Sequence, residues 1–85
     1  MNTYITEAFQ NFLTNETVTL TPLCTSGDVV IGGYARGIDI TVSSEGRFAQ
    51  SGGFSVGSQG WTATATSGSS SGARFMVVGA RCIAP

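Results

Sequence analysis

Two cysteines, Cys24 and Cys82, are the residues of this chain whose type and spacing speak most directly of chemistry. They stand near the two ends of a Gly/Ser/Thr-rich body that has no histidine and no lysine, and a bond between them would close residues 24–82 into one loop. Such a cross-link suits a small fold that persists outside a reducing cytoplasm. On chain entropy alone it would contribute about 4 kcal/mol, a large share of the ~5 to 15 kcal/mol typical of a whole domain. The alternative is a pair of reduced thiols buried as small hydrophobes.

Little else in the chain points to catalysis. The lack of histidine removes the commonest general base, the usual serine-activating imidazole and the commonest metal ligand together. Two cysteines so far apart make neither a C-x-x-C redox pair nor a four-thiolate zinc site. Glu7, Glu16, Asp28, Asp39 and Glu45 are scattered singly, so their spacing predicts no carboxylate pair. The expectation is a protein that is not an enzyme and takes no cofactor and no metal.

Two segments imitate binding motifs. GGYARG, residues 32–37, has the glycines of a phosphate loop beside Arg36. It lacks the Lys-Ser/Thr end and leads into an alternating strand instead of a helix, which makes it a bulge or hairpin corner. Tyr34, Phe48 and Phe54 with Arg36 and Arg47 resemble a base-stacking surface, yet the four arginines form no cluster, so no nucleic-acid partner is expected. Tyr34 and Trp61 are the candidate glycan contacts, as aromatic platforms on which a sugar ring stacks while nearby polar groups fix its hydroxyls. Against that role for Trp61, the alternating Ala63 and Ala65 leave room for an indole in the core.

At 85 residues the chain makes one domain, and a domain of that size buries only roughly 60 to 65% of its unfolded surface. Net charge is −1 with 11% charged residues, which neither attracts a phosphate backbone nor keeps copies apart. Assembly into a larger object follows as an expectation. Residues 1–13 have neither the basic start nor the apolar run of a signal peptide, and nothing approaches the ~20 apolar residues of a membrane span. An oxidised protein of this kind is expected to be extracellular, as a mature form whose leader was removed, or a virion component.

The elements that position these residues follow from periodicity. Ile5, Phe9, Phe12 and Leu13 fall on one side of a 3.6-residue period, with Thr3 as N-cap and Asn15 as a left-handed end, which predicts an amphipathic helix over residues 3–14. From Thr17 the period becomes two. Thr17, Thr19 and Thr21 alternate with Val18, Leu20 and Pro22 as an edge strand ending at the proline. Gly27 and Asp28 make a turn into Val29–Ile31, and Gly32 and Gly33 break or bulge that strand. Ile38, Ile40 and Val42 predict one strand with a shared face, followed by a hairpin turn at Glu45 and Gly46 and a return from Arg47. Phe54 and Val56 predict a short strand. Trp61, Ala63 and Ala65 alternate with threonines, and residues 67–72, SGSSSG, form a surface turn. In the last strand Met76, Val78, Ala80 and Cys82 share one face, and Phe75, Val77, Gly79 and Arg81 share the other. Two apolar faces mean a strand that is covered twice, by the helix or by a neighbouring subunit.

The order C-x-x-G (Cys24 to Gly27), an apolar strand running into GGY, GW followed by alternating Thr and Ala, and the V-x-A-x-C close at Val78, Ala80 and Cys82 resembles the small disulfide-closed β modules of exported bacterial and phage surface proteins. The resemblance covers about 60 residues and leaves the N-terminal segment outside. It implies an extracellular β fold without known catalysis, and carries over Cys24 and Cys82. The fold expected is an all-β sandwich or small barrel of six or seven short antiparallel strands, with one N-terminal amphipathic helix. Residues 1–16 would be a helical docking segment and residues 17–85 a disulfide-closed β domain. The expected function is a structural subunit of a repeated extracellular or virion assembly, such as a phage surface component or fibre, and a homo-oligomer. Ile5, Phe9, Phe12, Leu13, Phe75 and Val77 are the expected interface residues. The alternative is a glycan- or receptor-binding module, and a small inhibitor or toxin-like effector is a third option.

Overall fold

The computed structural model describes residues 2–49 and 58–84. Its strands are β1 (Asn2–Asn11), β2 (Thr17–Leu20), β3 (Val29–Ile38), β4 (Ile40–Ala49), β5 (Gln59–Ser67) and β6 (Phe75–Ala84). They form two antiparallel three-stranded sheets, sheet A in the order β1-β6-β3 and sheet B in the order β2-β5-β4. The strand expected at Phe54 and Val56 lies outside the described residues.

Alternation builds β2 and β5 of sheet B as their sequence indicates. Ala63 and Ala65 of β5 point into the core, while Thr62, Thr64 and Thr66 point out. Three of the threonines before Pro22 meet them hydroxyl to hydroxyl, Thr17 with Thr66 at 2.7 Å, Thr19 with Thr64 at 2.7 Å and Thr21 with Thr62 at 2.9 Å. Such cross-strand pairs hold the register of a short edge strand that has little else to fix it.

The interior between the sheets is filled from both sides. Phe12, Ala63, Ala65, Met76 and Val78 form one buried cluster, and Cys24, Val30, Ala80 and Cys82 form a second. Trp61 packs against both, with its ring laid on Gly33 of the facing sheet, so that even a methyl group at Gly33 would overlap the indole. Cys24 and Cys82 are bonded to each other. The Cys24 amide also donates to the Gln59 carbonyl of β5 at 2.7 Å, so the disulfide connects the backbone of sheet B to the central strand of sheet A.

Three expectations are corrected. No helix occurs among the described residues, and residues 3–14, expected to be helical, begin as the ten-residue strand β1, paired residue for residue with β6 from Asn2↔Ala84 to Asn11↔Phe75. Thr3, Tyr4, Ile5, Thr6 and Phe9 are β-branched or aromatic, types that fit a pleated surface, and an isolated three-turn helix has little stability to set against a full ladder. Asn15 does adopt a positive φ of 54°, but in the turn between β1 and β2. The single strand expected through Ile38, Ile40 and Val42 is divided by Asp39, whose φ of 53° turns the chain from sheet A into sheet B. Ile38 is therefore exposed on sheet A, while Ile40 and Val42 pack on the core. Finally, Glu45 and Gly46 do not turn. They lie within β4, whose extra residue is absorbed by an irregularity between Val42 and Ser44.

Replacing both cysteines, as Cys24→Ser with Cys82→Ser, is expected to lower stability by about 4 kcal/mol in urea denaturation. Gly33→Ala is expected to cost about 1 to 3 kcal/mol by overpacking against Trp61, read by the same measurement with the disulfide intact.

Candidate functional site

The outer face of sheet A is the part of the molecule whose sequence is least suited to water. Register places the odd-numbered residues of β1 and β6 on this face. Read across β1, β6 and β3, its rows are Thr3, Ile83 and Val29; Ile5, Arg81 and Gly32; Glu7, Gly79 and Tyr34; Phe9, Val77 and Arg36; and Asn11, Phe75 and Ile38. Ile5 is 51% exposed, Phe9 58% and Ile38 51%. The Phe9 and Phe75 rings touch, with centroids 5.5 Å apart. Among the described residues no element covers this face, whereas the opposite face of the same strands carries the buried Met76, Val78, Ala80 and Cys82.

A polar strap crosses the middle of the apolar surface. Gly79 has no side chain, and the Tyr34 ring of β3 occupies the space where a Cβ would stand. Lying across β6, Tyr34 reaches β1 and donates its phenol hydrogen bond to the Glu7 carboxylate. The Arg81 guanidinium sits over the same ring, 5.7 Å from its centroid, in cation–π geometry. Tyr34 therefore ties the two outer strands of the sheet together over the central one. Its phenol is held above the usual value, first by the hydrogen bond to Glu7, then by burial and the Glu7 charge, with Arg36 and Arg81 acting the other way.

The residues singled out in the sequence are distributed as follows. Ile5, Phe9, Phe75 and Val77 come together on the outer face of sheet A, although a strand and not a helix carries the first two. Phe12 is separate from them. It follows β1, drops between the sheets and is only 5% exposed. Leu13 is exposed on the turn that follows. Ile38, Val29 and Ile31 add apolar surface that the sequence reading did not assign to the face. The bulge between Val30 and Gly32 and the corner at Asp39 shift their side of the strand relative to simple alternation, and only the Gly32-Gly33 pair signals it. Tyr34 is engaged by Gly79, Glu7 and Arg81. Trp61 is engaged by Gly33, and its indole N–H donates to the Glu45 carboxylate at 3.1 Å.

No cluster of three or more potential metal ligands occurs among the described residues, and no helix long and apolar enough to cross a membrane is found among them. A shallow groove lined by Thr3, Tyr4, Ile5, Ile31 and Arg81 opens at one end of the outer face. Comparison with protein-family models, curated proteins and solved structures finds no match.

The raised phenol of Tyr34 has a definite consequence for pH. A group whose value rises on folding contributes stability fully below its unfolded value, about 10 for tyrosine, and that contribution is lost as pH climbs through the higher folded value. Glu7→Gln is expected to move the Tyr34 titration downward, read from its ring resonances by NMR. No movement would mean that Glu7 does not hold the phenol.

Proposed function

We propose that this protein is a structural subunit of a repeated assembly, in an extracellular or virion setting. The observation that carries the reading is the uncovered apolar face of sheet A. Exposed apolar surface of this kind, on both sides of the Tyr34–Glu7 strap, supports a site of protein contact, and a net charge of −1 offers little repulsion between copies. The Cys24–Cys82 bond supports an oxidising environment, as does the resemblance to disulfide-closed modules of exported bacterial and phage surface proteins.

The glycan-binding reading has less support. Its two aromatic candidates are already used within the chain, Trp61 between the sheets and Tyr34 between Gly79 and Arg81. A sugar ring stacked on Tyr34 would have to displace the guanidinium.

Sedimentation of the oxidised full chain is expected to show association that grows with concentration. Phe9→Lys, which gives up the ring contact with Phe75, is expected to weaken that association while costing about 1 kcal/mol of stability in thermal unfolding, too little to unfold the domain. A monodisperse monomer at high concentration overturns the reading. Binding of immobilised glycans, lost on Tyr34→Ala in a folded protein, would favour the alternative.

A further inference from the structure

Each sheet has two edges, and a strand at an edge presents a row of unpaired backbone donors and acceptors that invites another chain. Three of the four edges carry features that discourage such pairing. β2 is four residues long and is followed by Pro22. β3 is bulged between Val30 and Gly32, contains three glycines and carries Arg36. β4 is irregular between Val42 and Ser44 and bears Glu45 and Arg47. β3 and β4 also run into each other through the corner at Asp39 and lie in contact, which closes that side of the sandwich.

β1 differs from β2 in length and from β3 and β4 in regularity and composition. Over ten residues it pairs with β6 without a shift in register, and it contains no proline, glycine, lysine or arginine. Its one charge, Glu7, is occupied by the Tyr34 hydroxyl. Most of its contacts are with β6, and the face it turns toward the interior, Tyr4, Thr6 and Ala8, is only half-buried. Among the described residues no strand lies on its free side.

We propose that β1 pairs antiparallel with β1 of a second copy about a two-fold axis perpendicular to the sheet, making a six-stranded sheet in the order β3-β6-β1-β1-β6-β3. The inference rests on the assembly reading and specifies its first contact. The occupant is a second copy because the strand is self-complementary. A perpendicular two-fold keeps the odd-numbered residues of both copies on the outer face, so opposed residue numbers sum to an even value. The register centred on Thr6 sets Thr6 against Thr6 of the second copy, the hydroxyl pairing that sheet B uses three times. In that register Glu7 faces Ile5 of the second copy, Tyr4 faces Ala8, and Phe9 faces Thr3. The register centred on Glu7 would oppose two carboxylates, which is unfavourable. Pairing at this edge also joins the two apolar outer faces into one continuous surface, which leaves that surface free to pack against further copies.

The test compares the oxidised full chain with Thr6→Lys at the proposed axis and Ile38→Lys on the outer face of β3, away from the β1 edge. Circular dichroism and retention of the Cys24–Cys82 bond establish that each variant is folded. In sedimentation equilibrium the parent is expected to dimerise and to associate further. Thr6→Lys opposes two like charges at the contact and is expected to weaken dimerisation about a hundredfold, because such juxtapositions cost several kcal/mol. Ile38→Lys is expected to keep the dimer and lose the larger species. A folded Thr6→Lys variant that dimerises like the parent overturns edge pairing and leaves the assembly reading standing. A parent that stays monomeric overturns both. Should Thr6→Lys not fold, amide exchange of the parent decides: protection in β1 that rises with protein concentration supports the pairing, and protection independent of concentration overturns it.

Discussion

Two three-stranded sheets enclose a single interior, and the central strand of one of them is apolar on both sides. That mismatch governs the molecule. β6 satisfies one face by packing Met76, Val78, Ala80 and Cys82 against sheet B. Phe75 and Val77 are left on the other face, joined there by Ile5 and Phe9 from β1 and Ile38 from β3. Among the described residues no third layer covers this face, so apolar side chains of the central strand and its neighbours reach the surface.

Two large polar-tipped aromatics near this strand, Trp61 and Tyr34, solve a local version of the same problem. Trp61 lies on Gly33 inside the sandwich, and Tyr34 lies on Gly79 outside it. In each case a ring occupies the gap left by a missing side chain and its polar tip reaches a carboxylate, Glu45 for Trp61 and Glu7 for Tyr34. The inner pair sets how closely the sheets approach. The outer pair binds β1 to β3 across β6, which gives an otherwise singly supported edge strand a second attachment. Tyr4 supplies a third, since its hydroxyl accepts from the Thr25 amide at 2.9 Å and donates to Asp28 in the connection that carries Cys24.

The disulfide belongs to this pattern of ties. Cys24 is fastened to β5 by a backbone hydrogen bond, and Cys82 lies between Tyr4 of β1 and Val30 of β3. The bond therefore joins the two layers at one end of the interior, while Phe12 fills the other cluster from the β1-β2 crossing. With both layers secured in this way, the apolar outer face and the open β1 edge can stay exposed without loosening the core.

The alternation of β2, β5 and β6, an irregularity in β3 beside the Gly32-Gly33 pair, and the cysteine pair were legible in the residues, because period-two patterning and turn chemistry are local properties. The nature of residues 3–14 was not. Ile5 and Phe9 are four apart, and a spacing of four returns to the same side in a helix and in a strand alike, so the pair fits either period. Phe12, an odd step away, supports only the helix, yet it lies beyond the end of β1 and answers to a different constraint, the void between the sheets. What made the segment a strand was the ladder offered by β6 at the far end of the chain, a partner that no local window contains. By itself the sequence determined that β6 is apolar on both faces over much of its length and that Cys24 and Cys82 can close residues 24–82 into one loop. Only the tertiary structure decided which face of β6 is inside and that β1 stands at an open edge, since both depend on which strands lie side by side.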